Sequence, residues 1–225
     1  FVFNNKNSDN PWTRISASIN VNRIASFENQ FTLNGLNTNS IADYFLYYAD
    51  GIAYENIQLY DNESIADVYR LLGSDIGYGA QQAFLGYQSY IIDPLSNNSS
   101  EQSYISNIES TQNRHNLNVN NNGFHRKTSF NFSGLYQNIL HLGFNVNQHR
   151  IDFTNDQEFF EGEQDLSSFI YDVSFDNSLI SFGEGFSLQF GTILKLNKIR
   201  LGISYDSPQW FEIRDETRQK ISSFR

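Results

Sequence analysis

From Gly185 to Asp206 the chain alternates between apolar and polar positions with one bulky exception. Phe186, Leu188, Phe190, Thr192, Leu194 and Leu196 share one parity, and Ser187, Gln189, Gly191 and Lys195 share the other, with Ile193 intruding. After Asn197-Lys198 the alternation restarts, with Ile199, Leu201, Ile203 and Tyr205 against Arg200, Gly202, Ser204 and Asp206. A period of two is the mark of a half-buried strand. A two-residue turn between the runs puts Leu196 and Ile199 on one face, as a hairpin requires. The same period recurs at Ile15–Val21, at Phe130, Phe132 and Tyr136, at Leu140–Val146 and at Phe169–Phe175, where Ile170 falls on the polar side. Gln137-Asn138-Ile139 reads as a three-residue turn, and Gly183-Glu184-Gly185 as a bulge.

Two connections are long, residues 27–118 and residues 154–167. Short turns at one end and long loops at the other is the asymmetry of an outer-membrane barrel. A β-sandwich also alternates, with its apolar parity as a shared core. The polar parity here is mostly Ser, Asn, Gly and Gln, small uncharged groups that suit a wet lumen better than a sandwich exterior.

The first long connection carries helical signals. "SIADYFLYYADG" and "SIADVYRLLG" each open with Ser (Ser40, Ser64) as N-cap and Asp (Asp43, Asp67) at the third helical position. Gly51 and Gly73 read as stops. A third stretch, "AQQAFLGYQSYIIDP", ends before Pro94 and aligns Phe84, Tyr87 and Ile91. Ile41, Phe45 and Tyr48 line the first helix, and Ile65, Val68, Leu71 and Leu72 the second. These stripes either pack on one another or line a groove for an apolar ligand. For the groove, the candidate residues are Phe45, Tyr48, Leu71, Leu72, Phe84, Tyr87 and Ile91, with Arg70 as the sole nearby cation.

Composition changes the picture in three ways. A net charge of −10 is opposed to nucleic-acid binding, which rests on neutralising phosphates. Three prolines and no cysteine exclude a disulfide scaffold and a thiolate metal site. An aromatic share of 16% suits a membrane-facing surface, although no apolar run approaches the roughly 18 residues of a membrane helix. His115, His125, His141 and His149 lack metal-ligand spacing. The acidic residues Asp152, Asp156, Glu158, Glu161, Glu163 and Asp165 read as a solvated loop without the order of a calcium-binding loop. No nucleophile elbow or phosphate loop occurs, so the chain reads as no enzyme, with neither cofactor nor metal. It starts mid-pattern at Phe1-Val2-Phe3 and reads as a piece of something larger.

"RLGISYDSPQWFEIRDE" resembles a strand of the FadL/OmpP1/TodX family of outer-membrane transporters of hydrophobic compounds, through Arg200, Leu201, Gly202, Ser204, Tyr205, Ser207, Pro208, Trp210, Phe211, Asp215 and Glu216. "WTRISASINVNRIASFENQF" is similar to the strand before that family's helical extracellular loop. "FLGYQSYIID" resembles a helix within the loop, and "GEGFSLQFGTILKLNKIRLG" a strand, turn and strand. The resemblance implies an all-β fold, part of a fourteen-stranded transmembrane antiparallel barrel, with residues 27–118 as a long helical extracellular loop and residues 154–167 as an acidic one. It implies a Gram-negative outer membrane, with the bilayer, lipopolysaccharide and a hydrophobic small molecule such as a fatty acid as partners. Other outer-membrane proteins join them if the barrel is a subunit of a secretion or surface complex. The family's hatch segment and closing strand are not recognisable in this sequence. Trp12, Trp210 and Phe211 are the expected anchors at the membrane interface.

Overall fold

The computed structural model describes residues 1–5, 10–109, 112–163 and 169–225. In chain order the elements are β1 (Val2–Asn4), β2 (Trp12–Ser26), β3 (Asn29–Asn37), α1 (Ile41–Ala49), α2 (Ile65–Asp75), α3 (Tyr78–Gln88), β4 (Ile92–Pro94), β5 (Tyr104–Ser106), β6 (Asn113–Tyr136), β7 (Leu140–Glu163), β8 (Asp172–Lys195), β9 (Arg200–Asp206) and β10 (Trp210–Phe224). Eight strands form one sheet in the order β1-β2-β6-β7-β8-β10, with β3 also on β6 and β9 also on β8, while β4 and β5 form a small second sheet. Among the described residues the fold is mainly antiparallel β with three short α-helices.

Register follows the alternation. On β2 and β6, Ala17 pairs with Phe132 and Ile19 with Phe130, while Ser16 pairs with Ser133 and Ser18 with Asn131. On β8 and β9, Phe190 pairs with Tyr205 and Leu194 with Leu201, while Gly191 pairs with Ser204. Apolar meets apolar and polar meets polar, because a one-residue slip would invert every side chain. The hairpin at Asn197-Lys198 closes through the Leu196 amide and the Ile199 carbonyl, 2.8 Å apart.

Several expectations need correction. The turn after β6 has two residues, since the Ile139 amide donates to the Tyr136 carbonyl at 3.0 Å and both Gln137 and Asn138 have positive φ. Such mirror-image turns match the twist of the flanking strands. The first long connection is shorter than residues 27–118, because Asn29–Asn37 and the residues from Asn113 onward belong to the sheet. Most of the acidic stretch 154–167 is strand: β7 continues to Glu163, and residues 164–168 lie outside the described residues. β8 runs through Gly183-Glu184-Gly185 as continuous strand. A side chain at Gly185 would collide with the Trp210 carbonyl and the Phe211 ring, so close approach explains this glycine. Gly73 lies inside α2, and a Cβ there would strike the Gln81 side chain. The break between α2 and α3 falls instead at Gly77, with φ +120°.

The chain divides into two compact units: residues 1–29, 120–155 and 179–217, and residues 30–119, 156–178 and 218–225. They differ in what they bury. The hydrophobic core, centred on Phe45, Phe84, Ile57, Ile91 and Ile92, lies wholly in the second. In the first, the buried residues are Ser129, Asn147, His149, Gly183 and Ser187. Many of its large hydrophobics, Ile19, Val21, Phe132, Phe186, Leu201 and Ile203 among them, are exposed. β8 shows the reversal within one strand: its odd positions are apolar at Val173 and Phe175 in the second unit and polar at Ser187 and Gln189 in the first. A sandwich would cover this apolar face with another sheet, and among the described residues the first unit has only the one.

Candidate functional site

The first unit presents an apolar band that is bounded on both sides. Along β2 it runs from Trp12 through Ile15 and Ile19 to Val21, and along β8 from Phe186 to Leu194. Those lengths approach the roughly 9–11 residues with which a tilted strand crosses a bilayer. One border is aromatic: Trp12 meets Tyr136 edge-on with ring centroids 5.4 Å apart. A side chain at Gly134 would overlap the Trp12 indole, so the glycine lets the indole lie flat on the sheet. At the other border, Trp210 stacks on Phe186 at 4.9 Å. Both tryptophans are partly exposed, Trp12 at 37% and Trp210 at 45%. Beyond that border the same parity turns charged, at Arg23 on β2, Arg126 on β6, Arg150 on β7, Glu184 on β8 and Glu212 on β10.

Phe211 lies on the other face of the sheet from Trp210. Adjacent residues of a strand point to opposite faces, and Phe211 packs beside His125 and His149 with centroids 5.8 and 5.5 Å away. These three belong to the polar face. There the His125 and His149 rings are linked at 3.0 Å, and His149 reaches the Ser187 hydroxyl at 2.9 Å. The Asn147 amide donates to the same hydroxyl at 3.2 Å, and Asn145 donates to Gln189 at 3.1 Å. The result is a hydrogen-bonded row of polar side chains on this face of the sheet. No group of His, Asp and Glu that could hold a metal ion is present among the described residues.

In the second unit the expected groove residues are packed together. Phe45, Phe84 and Ile91 are fully buried and Leu72 is 6% exposed. Phe45 lies edge-on to Phe175 of β8 at 5.7 Å. Gly86 is small because any side chain there would meet the Phe45 ring. Tyr48 and Tyr87 are half-buried, and Tyr87 shares a hydrogen bond with Tyr54 at 2.8 Å. For the buried members the structure shows the packed alternative: Phe45, Leu72, Phe84 and Ile91 join one core across α1, α2 and α3. Ile91 lies past the end of α3, where Tyr90 takes φ +60° and the Ile91 amide returns to the Gly86 carbonyl at 3.0 Å. Leu71 and Arg70 point outward. Leu71 is 58% exposed, and Arg70 pairs with Asp67 at 3.3 Å with its side chain 77% exposed.

Burial raises the pKa of Tyr44, Tyr69, Tyr87 and Tyr104 in this helical unit. The Tyr44 phenol is raised by burial and then by its bond to Tyr78, and Tyr87 by burial and then by its bond to Tyr54. Tyr104 is pushed up to about 12 by burial, with help from the Glu101 charge.

Glu161, grouped by sequence with a solvated acidic loop, is 2% exposed. One of its oxygens accepts from the Ser40 hydroxyl at 2.5 Å. The other accepts from the Ile41 amide at 2.7 Å and meets His115 Nε2 at 2.7 Å. The carboxylate thus caps α1 from β7, supplementing the Ser40–Asp43 capping box. Asp152, Thr154, Asp156 and Glu158 on one parity against Phe153 and Phe159 on the other is the weak signal that would have placed Glu161 on the phenylalanine side.

Comparison with known proteins finds no matching family model, curated protein or solved structure.

Proposed function

We propose that this chain is part of a transmembrane β-barrel of a Gram-negative outer membrane that lets hydrophobic small molecules pass without chemistry. The observation that carries the membrane reading is the inverted sidedness of the first unit: serine, asparagine and histidine are buried while phenylalanine, leucine and isoleucine are exposed. Each large apolar side chain withheld from water is worth about 1.5–3 kcal/mol, so a band repeated over β2, β6, β7, β8 and β9 needs a lipid solvent. Antiparallel strands, a tight two-residue turn and aromatic residues at both borders support the same reading. Passage of hydrophobic compounds rests on the family resemblance. The closed packing of Phe45, Phe84 and Ile91 favours a second reading, a barrel subunit of a larger surface complex.

The test is reconstitution into vesicles. The chain should fold there with the first unit protected from protease, and vesicles carrying it should take up an apolar dye faster than empty ones. A chain that stays soluble and monomeric without detergent would end the membrane reading. Insertion without uptake would leave the subunit reading.

A further inference from the structure

We infer that the arginine pair next to the apolar band, Arg23 on β2 and Arg126 on β6, binds a phosphate group of a phosphorylated glycolipid in the surrounding leaflet. The inference rests on the membrane reading above and adds a specific lipid site to it. Its first support is position. The outward cross-strand pairs run Ala17 with Phe132, Ile19 with Phe130, Val21 with Thr128, and then Arg23 with Arg126. Two residues of strand span roughly 7 Å, so Arg23 stands one step beyond Val21, the last apolar residue on this face of β2, at the depth of headgroups rather than acyl chains.

The second support is the pair itself. Like charges directly opposite on neighbouring strands repel and destabilise the sheet, yet this register joins two arginines. Both guanidinium groups gather on the Phe124 ring, that of Arg126 4.6 Å and that of Arg23 6.0 Å from its centroid. Arg23 is held by Glu28 at 3.1 Å and by the Gly123 carbonyl at 3.2 Å. Arg126 has no carboxylate partner among the described residues. One carboxylate therefore faces two guanidinium groups, leaving one positive charge that an anion between them would neutralise. Guanidinium forks match phosphate oxygens in pairs, which a lysine ammonium does not.

The hollow farther round the same face does not qualify. It encloses about 420 Å³ among Arg150, Asp152, Glu184, Glu212, Arg214 and Glu216, where four carboxylates outnumber two arginines. Arg150 is already paired with Asp152 at 2.8 Å and Arg214 with Glu212 at 2.7 Å. This hollow supplies the control.

The experiment compares unfolding temperatures of the folded chain in neutral phosphatidylcholine vesicles with three additions: diphosphorylated lipid A, the same glycolipid stripped of phosphate, and inorganic phosphate. Diphosphorylated lipid A should raise the unfolding temperature, and the other two should not. Arg126→Gln should lose the shift and bind the lipid about tenfold more weakly. Arg126→Lys should recover it only partly, and Arg214→Gln should retain it. An equal shift with the stripped glycolipid, or a shift untouched by Arg126→Gln, overturns the phosphate site. A full shift with inorganic phosphate alone overturns the lipid as its source. Protease protection in the neutral vesicles separates the two readings. A protected chain indifferent to phosphate loses only this inference, whereas an unprotected chain loses the membrane reading and this site with it.

Discussion

Glu161 shows how one side chain fixes an element distant in sequence. Its carboxylate takes the Ser40 hydroxyl, the Ile41 amide and His115 in a site that leaves it 2% exposed. Hydrogen bonds to a charged group are worth about 1.5–3 kcal/mol each, and a buried donor left unpaired costs about 1–3 kcal/mol. Glu161→Ala should therefore loosen α1 by about 1–3 kcal/mol, read as faster hydrogen exchange in residues 41–49 with little change in α3. Unchanged exchange in α1 would mean that the Ser40–Asp43 box suffices alone. The sequence hid this residue because six acids close together resemble a solvated loop. Only the weak alternation through Phe153 and Phe159 marks it as strand, and which carboxylate turns inward depends on where α1 lies.

At the scale of elements, the strands were legible and the helix partners were not. Period two is a local property, so the apolar parities of β2, β6, β8 and β9 could be read directly, and their register follows from them. What covers each face is not local. Val173 and Phe175 share odd parity with Ser187 on β8, and nothing nearby in sequence says that Phe175 meets Tyr44 and Phe45 while Val173 joins the same core. Gly185 misled because a glycine demanded by close approach to the Trp210 carbonyl looks like one demanded by a bulge. The parities yield a direct test. Leu201→Arg or Phe190→Arg should cost about 2–4 kcal/mol in a bilayer folding assay, and Ser204→Arg close to nothing. Equal tolerance on both faces would count against lipid contact.

The helical unit makes its own prediction, set by its phenols. Tyr104 titrates near about 12 when folded, while an unfolded tyrosine titrates near about 10. The folded state therefore holds this proton more tightly than the unfolded state. The resulting stability is complete below about pH 10 and is lost as pH climbs toward about 12. Tyr44, Tyr69 and Tyr87 are raised in the same direction, each first by burial. Helical circular dichroism and tyrosinate absorbance should therefore change together in this alkaline window. Tyrosinate appearing well before any loss of helix would show that the phenols are open to solvent.

For the molecule as a whole, charge bears on which compounds the proposed transport would favour. The net charge is −10, and the connection that carries the helices holds Asp50, Glu55, Asp61, Glu63, Asp67 and Asp75 around a single cation, Arg70. That cation points outward and is already paired with Asp67 at 3.3 Å. A carboxylate entering an apolar site without a cationic partner loses its hydration and gains nothing in return. The neighbouring acids add repulsion to an incoming carboxylate. Neutral hydrophobic compounds should accordingly be favoured over fatty acids. A series comparing a fatty acid, its methyl ester and an alkane of similar length, measured as binding to the reconstituted chain, checks this. The ester and alkane should bind at least as tightly as the acid, and Arg70→Ala should change none of the three. Tightest binding by the free acid, abolished in Arg70→Ala, would instead require Arg70 to leave Asp67 and turn inward to hold the headgroup.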